Sequence, residues 1–382
     1  MTSQKHLFSI EEDVVYLNTA SFSPAFKSVE TAGIKAVKHK SQPQLRQSAD
    51  LFNPVIELRK LFAQIIDEDD YNRVVTIPSV SYGMATVASN LQLKEGDEII
   101  LIEEQFPSNY YIWKEVANKA NATIITIKQP EHTEDFNTKI LEAIKPNTAL
   151  VAIGHIHWAN GLVFDIKAIR EKTRTCNALF VIDGSQSIGG LPFSVKDIQP
   201  DALICAGYKW LFGPYGCAYA YYGPYFDNGQ PIEQNWANRL GSEDFTNLTN
   251  YQDNYKPKAS RYAMGESGSF IYVQMQIAAL QEISKINASA FQEYCHTIAQ
   301  NCLEKLTTIG FTSEAPHLRA KHLFGIKIPK HIHVDYLKSV LKANNIHVSF
   351  RGKYMRVSCH IFNDVLDFEK LYTVLITAVN TY

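Results

Sequence analysis

The stretch from Ala178 to Lys209 constrains the fold of this chain more than any other. It contains two short apolar runs; Asp183 follows the first, and Lys209 follows the second after a short glycine-containing turn. A continuous apolar run of this length, bounded by glycine and polar residues, is typical of a strand that is buried on both faces in a parallel sheet. Open α/β sheets bind ligands at the carboxyl ends of their strands. We therefore expect Asp183 and Lys209 to meet at such an edge.

Strand-like and helix-like segments alternate through the first 225 residues. About seven segments have the apolar character of short strands. These are residues 74–77, 98–102, 123–127, 150–153, 178–182, 202–205 and 217–222. Helical spacing is found at 26–40, 55–66, 81–91 and 110–121. The alternation predicts an α/β fold with a mostly parallel, seven-stranded sheet flanked by helices.

The pattern changes after residue 225. Residues 227–258 are rich in Asn, Gly, Gln and Asp and predict a long loop region, and a loop of that length is more often functional than idle. Beyond the loop we expect helices at 270–285, 290–306, 334–343 and 368–379 and strands at 323–328, 346–350 and 355–358. These predict a small C-terminal α+β domain on a short antiparallel sheet. We assign residues 15–260 to a large domain and residues 1–14 and 261–382 to a small one.

Charge and composition narrow the choice of partner. A formal net charge of -2 over 382 residues gives no basic excess for nucleic acid or an anionic membrane, which favours a small-molecule partner. The N-terminus lacks an apolar signal core, and no run approaches ~18 apolar residues. The six cysteines have no CxxC spacing, which favours reduced, buried thiols. We expect a cytoplasmic protein that spans no membrane.

Lys209 and Asp183 can each be interpreted as an ordinary structural residue or as a residue that binds a cofactor. A lone lysine after a strand is usually a solvated surface residue, but Lys209 stands in an apolar segment, between Ile204 and Leu211. Desolvation there would lower its pKa and free the amine to form a Schiff base. Asp183 has a plain alternative as a helix N-cap or loop carboxylate. A buried carboxylate facing a pyridinium nitrogen is, however, what an enzyme using pyridoxal 5'-phosphate requires.

A phosphate group needs a site of its own. Residues 78–83 form a turn that opens a predicted helix, so backbone N–H groups, the hydroxyl of Ser79 or Ser81 and the helix dipole would converge on an anion. An ordinary strand-to-helix turn with a serine cap explains the same residues. The coincidence of this turn with Asp183 and Lys209 favours a cofactor site.

Three motifs carry a resemblance to a known family. They are Asp183-Gly184-Ser185-Gln186, Ala206-Gly207-Tyr208-Lys209 followed by Gly213-Pro214-Tyr215-Gly216, and Arg356-Val357-Ser358 with His360 and Asn363 close behind. With them the chain resembles the fold type I pyridoxal phosphate enzymes of the class V aminotransferase and cysteine desulfurase family. The resemblance spans about residues 15 to 380, and its most specific part is the lysine that follows Asp183 after 26 residues.

The resemblance implies a role for each matching residue in the cofactor site. Lys209 would form the Schiff base and move the proton at the substrate α-carbon. Asp183 would pair with the pyridine nitrogen, and Gln186 with the phenolic oxygen of the ring. Phe106 stands where desulfurases commonly have a histidine; it would stack on the ring but cannot exchange protons. The phosphate would be held by the Val80 N–H, Ser81 and Tyr208, and by Ser267 of the partner subunit.

The resemblance also implies a substrate site and an assembly. Arg356 would clamp the substrate carboxylate through its bidentate guanidinium, although a surface strand arginine is its plain alternative. Trp158 and Asn18 are the other predicted substrate-binding residues. The expected assembly is a homodimer with shared active sites, in which the large domain binds pyridoxal 5'-phosphate.

The chain also departs from the desulfurase pattern. Desulfurases carry a nucleophilic cysteine shortly before the position of Arg356, and residues 351–355 contain none. Cys359, in the following strand, is predicted to be a buried core thiol. Trp158 stands where desulfurases have an asparagine. A tryptophan at this position is similar to the pattern of kynureninase-like lyases. His155 and His157 have no apparent third metal ligand, so we predict that they line the cofactor pocket and that the chain has no metal site.

We therefore expect an enzyme that acts on a small amino acid, with a keto acid as second substrate where the reaction requires one. An aminotransferase is the first expectation. A carbon–sulfur or carbon–carbon lyase of the cysteine desulfurase or kynureninase kind is the alternative. An epimerase and a non-catalytic protein of this fold rank below these two, the latter because Lys209, Asp183, Gln186 and Arg356 are all intact.

Overall fold

The computed structural model describes residues 1–381. Within them lie twelve strands: β1 (Val15–Tyr16), β2 (Val74–Ile77), β3 (Glu98–Ile102), β4 (Thr123–Ile127), β5 (Thr148–Gly154), β6 (Leu179–Asp183), β7 (Ala202–Ala206), β8 (Ala218–Tyr222), β9 (Leu323–Lys327), β10 (Ile346–His347), β11 (Ser349–Arg351) and β12 (Tyr354–Ser358). The same residues form eleven α-helices: α1 (Lys27–Lys40), α2 (Ala49–Ile65), α3 (Val80–Ser89), α4 (Tyr111–Ala120), α5 (Phe136–Ala143), α6 (Ile166–Thr175), α7 (Val195–Ile198), α8 (Phe270–Ile283), α9 (Ala288–Thr308), α10 (Val334–Ala343) and α11 (Val365–Thr381). Short 3-10 helices lie at Lys5–Leu7, Pro43–Leu45, Tyr71–Arg73, Pro107–Asn109, Thr133–Asp135, Pro224–Phe226, Phe245–Asn247 and Lys258–Tyr262.

Seven strands form the central sheet, in the order β2-β8-β7-β6-β5-β3-β4. Strand β8 runs antiparallel to its neighbours β2 and β7, and the remaining pairs are parallel. The predicted α/β class and mostly parallel seven-stranded sheet are thus confirmed. Strands β6 and β7 are direct neighbours, with Asp183 opposite Ile204. The strands that lead to Asp183 and Lys209 therefore end at the same edge of the sheet.

Successive residues of the central strands are apolar because both faces of the sheet are covered. Ile182 and Leu203 belong to a large core cluster on one face, to which α2, α6 and α8 contribute. Val181 and Ile204 belong to a second cluster on the other face, beneath α3 and α4. This arrangement fixes the N-terminus of α3 against the carboxyl edge of the sheet.

The C-terminal residues build a smaller α+β unit, as predicted. Strands β11, β12 and β9 form an antiparallel sheet, and α9, α10 and α11 add apolar side chains to the large core cluster. The single strand expected at 346–350 is wrong, because the chain changes partner there. Strand β10 pairs in parallel with β1 near the N-terminus, whereas β11 pairs with β12.

The segment at 227–258 contains no α-helix or strand, in agreement with the expected loop region. Among residues 1–381, no helix has both the length and the apolar character needed to cross a membrane.

Candidate active site

A cavity of about 210 Å³ lies at the carboxyl edge of the central sheet. The ends of β6 and β7 bring Asp183 and Lys209 to its wall, and the N-terminal turn of α3 forms another side. The predicted site residues that line it are Val80, Ser81, Phe106, Trp158, Asp183, Gln186, Tyr208 and Lys209. The structure thus brings together most of the residues that the sequence singled out.

The amine of Lys209 is largely removed from solvent, since the residue is 9% exposed. Burial lowers the pKa of Lys209 to about 8; the negative charge of Asp183 opposes this shift, and the positive charges of Arg356 and Arg351 add to it. A group with such a pKa is uncharged in about a tenth of molecules at pH 7. Burial therefore increases the share of Lys209 that carries an uncharged, nucleophilic amine.

Asp183 and Gln186 are held in defined orientations. Asp183 Oδ1 accepts the backbone N–H of Ser185 at 2.9 Å. The side-chain amide of Gln186 donates from Nε2 to the carbonyl of Ala20 at 3.1 Å and accepts at Oε1 from the indole N–H of Trp210 at 2.8 Å. Because an indole N–H can only donate, it fixes which end of the amide is oxygen. The second N–H of Gln186 Nε2 is therefore the group left for a ligand.

The N-terminus of α3 offers donors for an anion. The side chain of Ser79 caps this helix and accepts the N–H of Tyr82 at 3.1 Å. The N–H groups of Val80 and Ser81, in the first turn, have no acceptor within the helix. Free N–H groups at a helix N-terminus are a ready site for phosphate.

Asn109 adds a donor to this side of the cavity and was missed by sequence reasoning. It is completely buried at the end of the 3-10 helix Pro107–Asn109, which packs against α3. Its Oδ1 accepts the indole N–H of Trp113 at 2.7 Å, and its Nδ2 has no partner among the described residues. A buried unpaired donor beside a helix N-terminus fits a phosphate. The asparagine four residues before a tryptophan was the available sequence signal.

Phe106 and Trp158 form an aromatic wall. Their rings meet edge to face with centroids 5.3 Å apart, and the Lys209 Nζ lies 5.5 Å from the centroid of Phe106. The indole N–H of Trp158 donates to the carbonyl of Glu104 at 2.7 Å. This bond fixes the orientation of the indole in the cavity wall.

Arg356 lies next to the cavity, within hydrogen-bonding distance of the Trp158 carbonyl, and is 2% exposed. Its guanidinium donates to Ser349 Oγ at 3.1 Å, to the Trp158 carbonyl at 2.9 Å and to Ser21 Oγ at 2.7 Å. All three acceptors are neutral. Burial, reinforced by the charge of Arg351, lowers the pKa of Arg356 to about 9. Arg356 thus carries a desolvated positive charge without a carboxylate partner within residues 1–381.

Besides Arg356, two further predicted site residues lie outside the cavity wall. Asn18 follows β1, forms an isolated bridge with Ser358 and has a buried Oδ1 without a partner in the described part of the chain. Ser267 lines a separate groove of about 480 Å³ between α2 and residues 236–271. The cavity of one chain therefore does not include its own Ser267, which the sequence assigned to the cavity of a partner.

His155 and His157 differ in their position relative to the cavity. His157 lines the cavity, but His155 does not, so the prediction of a pocket-lining role is wrong for His155. Strand β5 ends at Gly154, and the ring of His155 lies 6.0 Å from that of Phe193, which does not line the cavity. Burial lowers the pKa of both histidines to about 4. Cys359 is completely buried, as predicted.

The comparisons with known proteins agree with this geometry. The family profile described as Aminotransferase class-V matches residues 15–371. The uncharacterized aminotransferase YcbU of Bacillus subtilis is 25% identical over 306 residues, which is 80% of this chain and 78% of that protein. Isopenicillin N epimerase of Streptomyces clavuligerus is 25% identical over 60% of this chain and 58% of its own length. A probable cysteine desulfurase of Pyrococcus abyssi is 26% identical over 58% of this chain and 57% of its own length.

Solved structures share the fold over the whole chain. The apo cysteine desulfurase of Thermococcus onnurineus has a TM-score of 0.87 at 19% identity and covers 100% of this chain and 99% of its own. A C-DES variant with glycine covalently linked to pyridoxal phosphate has a TM-score of 0.88 at 18% identity, with 99% and 100% covered. Since the family profile extends over nearly all of its residues, the chain belongs to the class-V aminotransferases, which are fold type I enzymes that use pyridoxal phosphate.

Proposed function

We propose that the protein is an aminotransferase that moves the amino group of a small amino acid to a keto acid, with pyridoxal 5'-phosphate bound in the cavity. The observation that carries the proposal is the buried amine of Lys209, which shares the cavity with the carboxylate of Asp183 and the N-terminus of α3. An amine for attachment, a carboxylate for the ring nitrogen and an anion site are what this cofactor requires.

The residues around the cavity fit each part of the cofactor. Asp183 would hold the ring nitrogen in its protonated form, Gln186 would donate to the phenolic oxygen, and Phe106 would stack on the ring. The phosphate would be held by donors of Val80, Ser81, Tyr208 and Asn109. When bound, pyridoxal phosphate supplies an electron sink for negative charge at the substrate α-carbon.

Lys209 serves as the base. Its amine would attach the cofactor covalently and, once displaced by the amino group of the substrate, would remove the proton from the substrate α-carbon. A base is most effective when its pKa lies near the working pH, and burial brings the pKa of Lys209 to about 8. Asp183 opposes a still larger fall in this pKa.

Arg356 binds the substrate carboxylate. Its charge has no carboxylate partner among residues 1–381, and a guanidinium binds a carboxylate through two parallel N–H donors. Trp158 lines the cavity with its ring centroid 5.8 Å from the Arg356 guanidinium carbon, so the arginine lies directly beside the cavity wall. The unpaired Oδ1 of Asn18 accepts a substrate N–H.

The segment before Arg356 supports amino transfer over sulfur abstraction. Desulfurases carry their nucleophilic cysteine in a loop shortly before this arginine. In this chain β11 ends at Arg351 and β12 begins at Tyr354, so only Gly352 and Lys353 form the turn. Gly352 has a φ of +53°, which a tight hairpin turn of this kind requires. The turn carries no thiol.

A carbon–sulfur or carbon–carbon lyase is the second candidate. Elimination from the β-carbon also begins when a base removes the α-proton, so Lys209 and Arg356 serve that reaction equally well. The similarity to a probable cysteine desulfurase favours this candidate. An epimerase shares the same first step.

The experiment that tests the proposal incubates the cofactor-loaded enzyme with amino acids, each with and without a keto acid. An aminotransferase forms one new amino acid for each keto acid released and needs the acceptor. Pyruvate with ammonia or sulfide, released without an acceptor, would replace the proposal by the lyase. Lys209→Ala is the inactive control.

We also propose the assembly and organisation expected from the sequence. Two copies form a homodimer in the cytoplasm, and Ser267 of the partner subunit adds a donor to the phosphate site. Residues 15–260 form the large domain, and residues 1–14 and 261–382 form the small one. Sedimentation of wild type and Ser267→Ala, with cofactor affinity measured on each, tests the shared site: affinity falls while the dimer persists.

A further inference from the structure

Two arginines, not one, surround Trp158. The guanidinium carbon of Arg351 lies 5.6 Å from the centroid of the indole ring, and that of Arg356 lies 5.8 Å from it. Both guanidinium groups also donate to the same acceptor, Ser21 Oγ, at 3.4 Å from Arg351 and 2.7 Å from Arg356. One neutral hydroxyl therefore accepts hydrogen bonds from two cationic side chains.

The strand register produces this pair. Arg351 is opposite Tyr354, and Ser349 is opposite Arg356, in the antiparallel pairing of β11 and β12. Residues two apart on a strand share a face, so Arg351 is the diagonal cross-strand neighbour of Arg356 on the same face of the sheet. The two-residue turn fixes this register, because it leaves the hairpin no freedom to slip.

The charges of this pair are not balanced by the protein. Arg351 donates to the carbonyl of Phe350 at 2.7 Å and to Ser21, and both acceptors are neutral. In the described part of the chain, neither guanidinium forms an ion pair with an aspartate or glutamate. Arg351 and Arg356 both lower the pKa of Lys209, so all three cations lie within electrostatic range of one another. Like charges brought together without acidic partners are a site for an anion.

We propose that Arg351 recognises a second anionic group on the substrate, so that the enzyme acts on amino acids whose side chain ends in a carboxylate or a comparable anion. This inference rests on the proposed function, since it takes Arg356 as the clamp for the α-carboxylate. Arg356 is almost completely buried, whereas Arg351 is half-buried. The α-carboxylate is therefore bound at the inner arginine and the side-chain anion at the outer one, with the ring of Trp158 beside both. Arg351 has five N–H donors and uses two, so donors remain for the second anion.

Isosteric substrates that differ only in charge provide the test. The wild type, Arg351→Gln and Lys353→Gln are assayed for amino transfer from glutamate and glutamine, and from aspartate and asparagine. Lys353→Gln is the matched control, because it removes an equal charge from the turn that follows Arg351, where Lys353 is exposed. A charged hydrogen bond lost to the variant lowers kcat/KM for the acidic substrates by about tenfold to a hundredfold. The ratio of kcat/KM for each acidic substrate to that for its amide falls by the same factor, because a change in the pKa of Lys209 affects both substrates alike. Lys353→Gln lowers this ratio by no more than about twofold.

Two outcomes of this assay would overturn the inference. They are a wild type that prefers the amides and an Arg351→Gln variant that loses both classes equally. Failure of the proposed function is a different result, in which no amino acid donates its amino group. In that case, calorimetry of glutarate and butyrate binding to the holoenzyme tests the second anion site directly. Tighter binding of glutarate that is lost in Arg351→Gln supports the second anion site, and equal binding of the two acids refutes it.

Discussion

The indole N–H of Trp210 donates to Oε1 of Gln186 at 2.8 Å, and this bond decides which end of the amide can reach the cavity. Trp210→Phe keeps a buried ring in van der Waals contact with its neighbours but removes the only N–H of the side chain. Gln186 Oε1 then becomes a buried acceptor without a donor. We expect the free energy of unfolding to fall by about 1–3 kcal/mol, measured by urea denaturation.

A second variant separates this effect from general loss of packing. Trp113→Phe breaks the bond from Trp113 to Asn109 Oδ1 on the other side of the cavity and has a similar expected cost. Only Trp210→Phe frees the Gln186 amide to rotate, so only this variant shifts the pH at which the absorbance of the bound cofactor changes. Equal shifts in both variants would contradict the role given to the indole of Trp210.

The pKa of Lys209 predicts how the reactivity of its amine depends on pH. Acylation of Lys209 in the apoprotein is measured by peptide mass spectrometry across a pH series. Only the uncharged amine reacts, so the rate rises with pH and reaches half of its maximum at about pH 8. A midpoint above pH 10, the ordinary range for lysine, would mean that the amine is solvated.

The neighbouring charges move this midpoint in opposite directions. The carboxylate of Asp183 raises the pKa of Lys209, so Asp183→Asn shifts the midpoint to lower pH. Arg351 lowers the pKa, so Arg351→Gln shifts the midpoint to higher pH. Lys353→Gln serves as the control for a loss of charge on the exposed turn. Shifts of the same sign in the aspartate and arginine variants would be incompatible with the arrangement described here.

Buried histidines make the fold sensitive to acid. Burial lowers the pKa of His155, His157 and His322 from 6.5 to about 4. Between pH 6.5 and 4 the unfolded chain therefore binds more protons than the folded one, and stability falls as the pH falls through this window. Each histidine contributes a slope of about 1.4 kcal/mol per pH unit there. Urea denaturation at intervals between pH 7 and 4.5 measures the total slope.

His155→Phe tests the contribution of one histidine to this slope. The Nδ1 of His155 has no partner among the described residues, and its ring lies 6.0 Å from that of Phe193, so an aromatic replacement removes the titrating group without breaking a bond at that nitrogen. The variant should have a shallower pH dependence and similar stability at pH 7. An unchanged slope would show that His155 is not a source of the acid sensitivity.

Gly161 lies in the loop that follows β5, close to strand β9 of the C-terminal sheet. Its φ is +85°, and a Cβ at this position would lie 2.3 Å from the backbone oxygen of Leu323. Gly96 has a similar φ of +88°, but a Cβ there meets nothing within 4 Å. Gly96→Ala carries only the cost of the backbone conformation, about 1 kcal/mol. Gly161→Ala adds a clash with main chain, so its thermal midpoint should fall well below that of Gly96→Ala; equal midpoints would contradict the close approach.

The cavity that we propose for the cofactor was predictable because its signals are local. Strands β3 and β4 have the predicted bounds, and the apolar runs before Asp183 and Lys209 are strands β6 and β7. A buried parallel strand reveals itself by continuous apolar residues, whatever its partners are. Helix α6 gave a weaker signal and was not predicted, because only Ile166, Ile169 and Thr173 of its ten residues are buried among charged neighbours.

The remaining features depend on partners that are distant in the sequence. The split of residues 346–350 into β10 and β11 follows from pairing with β1 and β12, which no local pattern specifies. Asn109 becomes a candidate donor only because Trp113 takes its oxygen. Arg351 was seen in the sequence only as part of a segment without cysteine; its place beside Arg356 follows from the register of a hairpin.

The hydrogen bond from Arg356 to Ser21 spans 335 positions of the chain, and this has a consequence for the order in which the protein is made. Translation proceeds from the N-terminus, and folding begins on the part already released. Val80, Asp183 and Lys209 all leave the ribosome long before Arg356, so the nascent chain can assemble the cofactor cavity while the turn at Ser21 still has no arginine to bind. In the proposed site, the arginine that binds the substrate carboxylate is thus added to the chain after the residues that hold the cofactor.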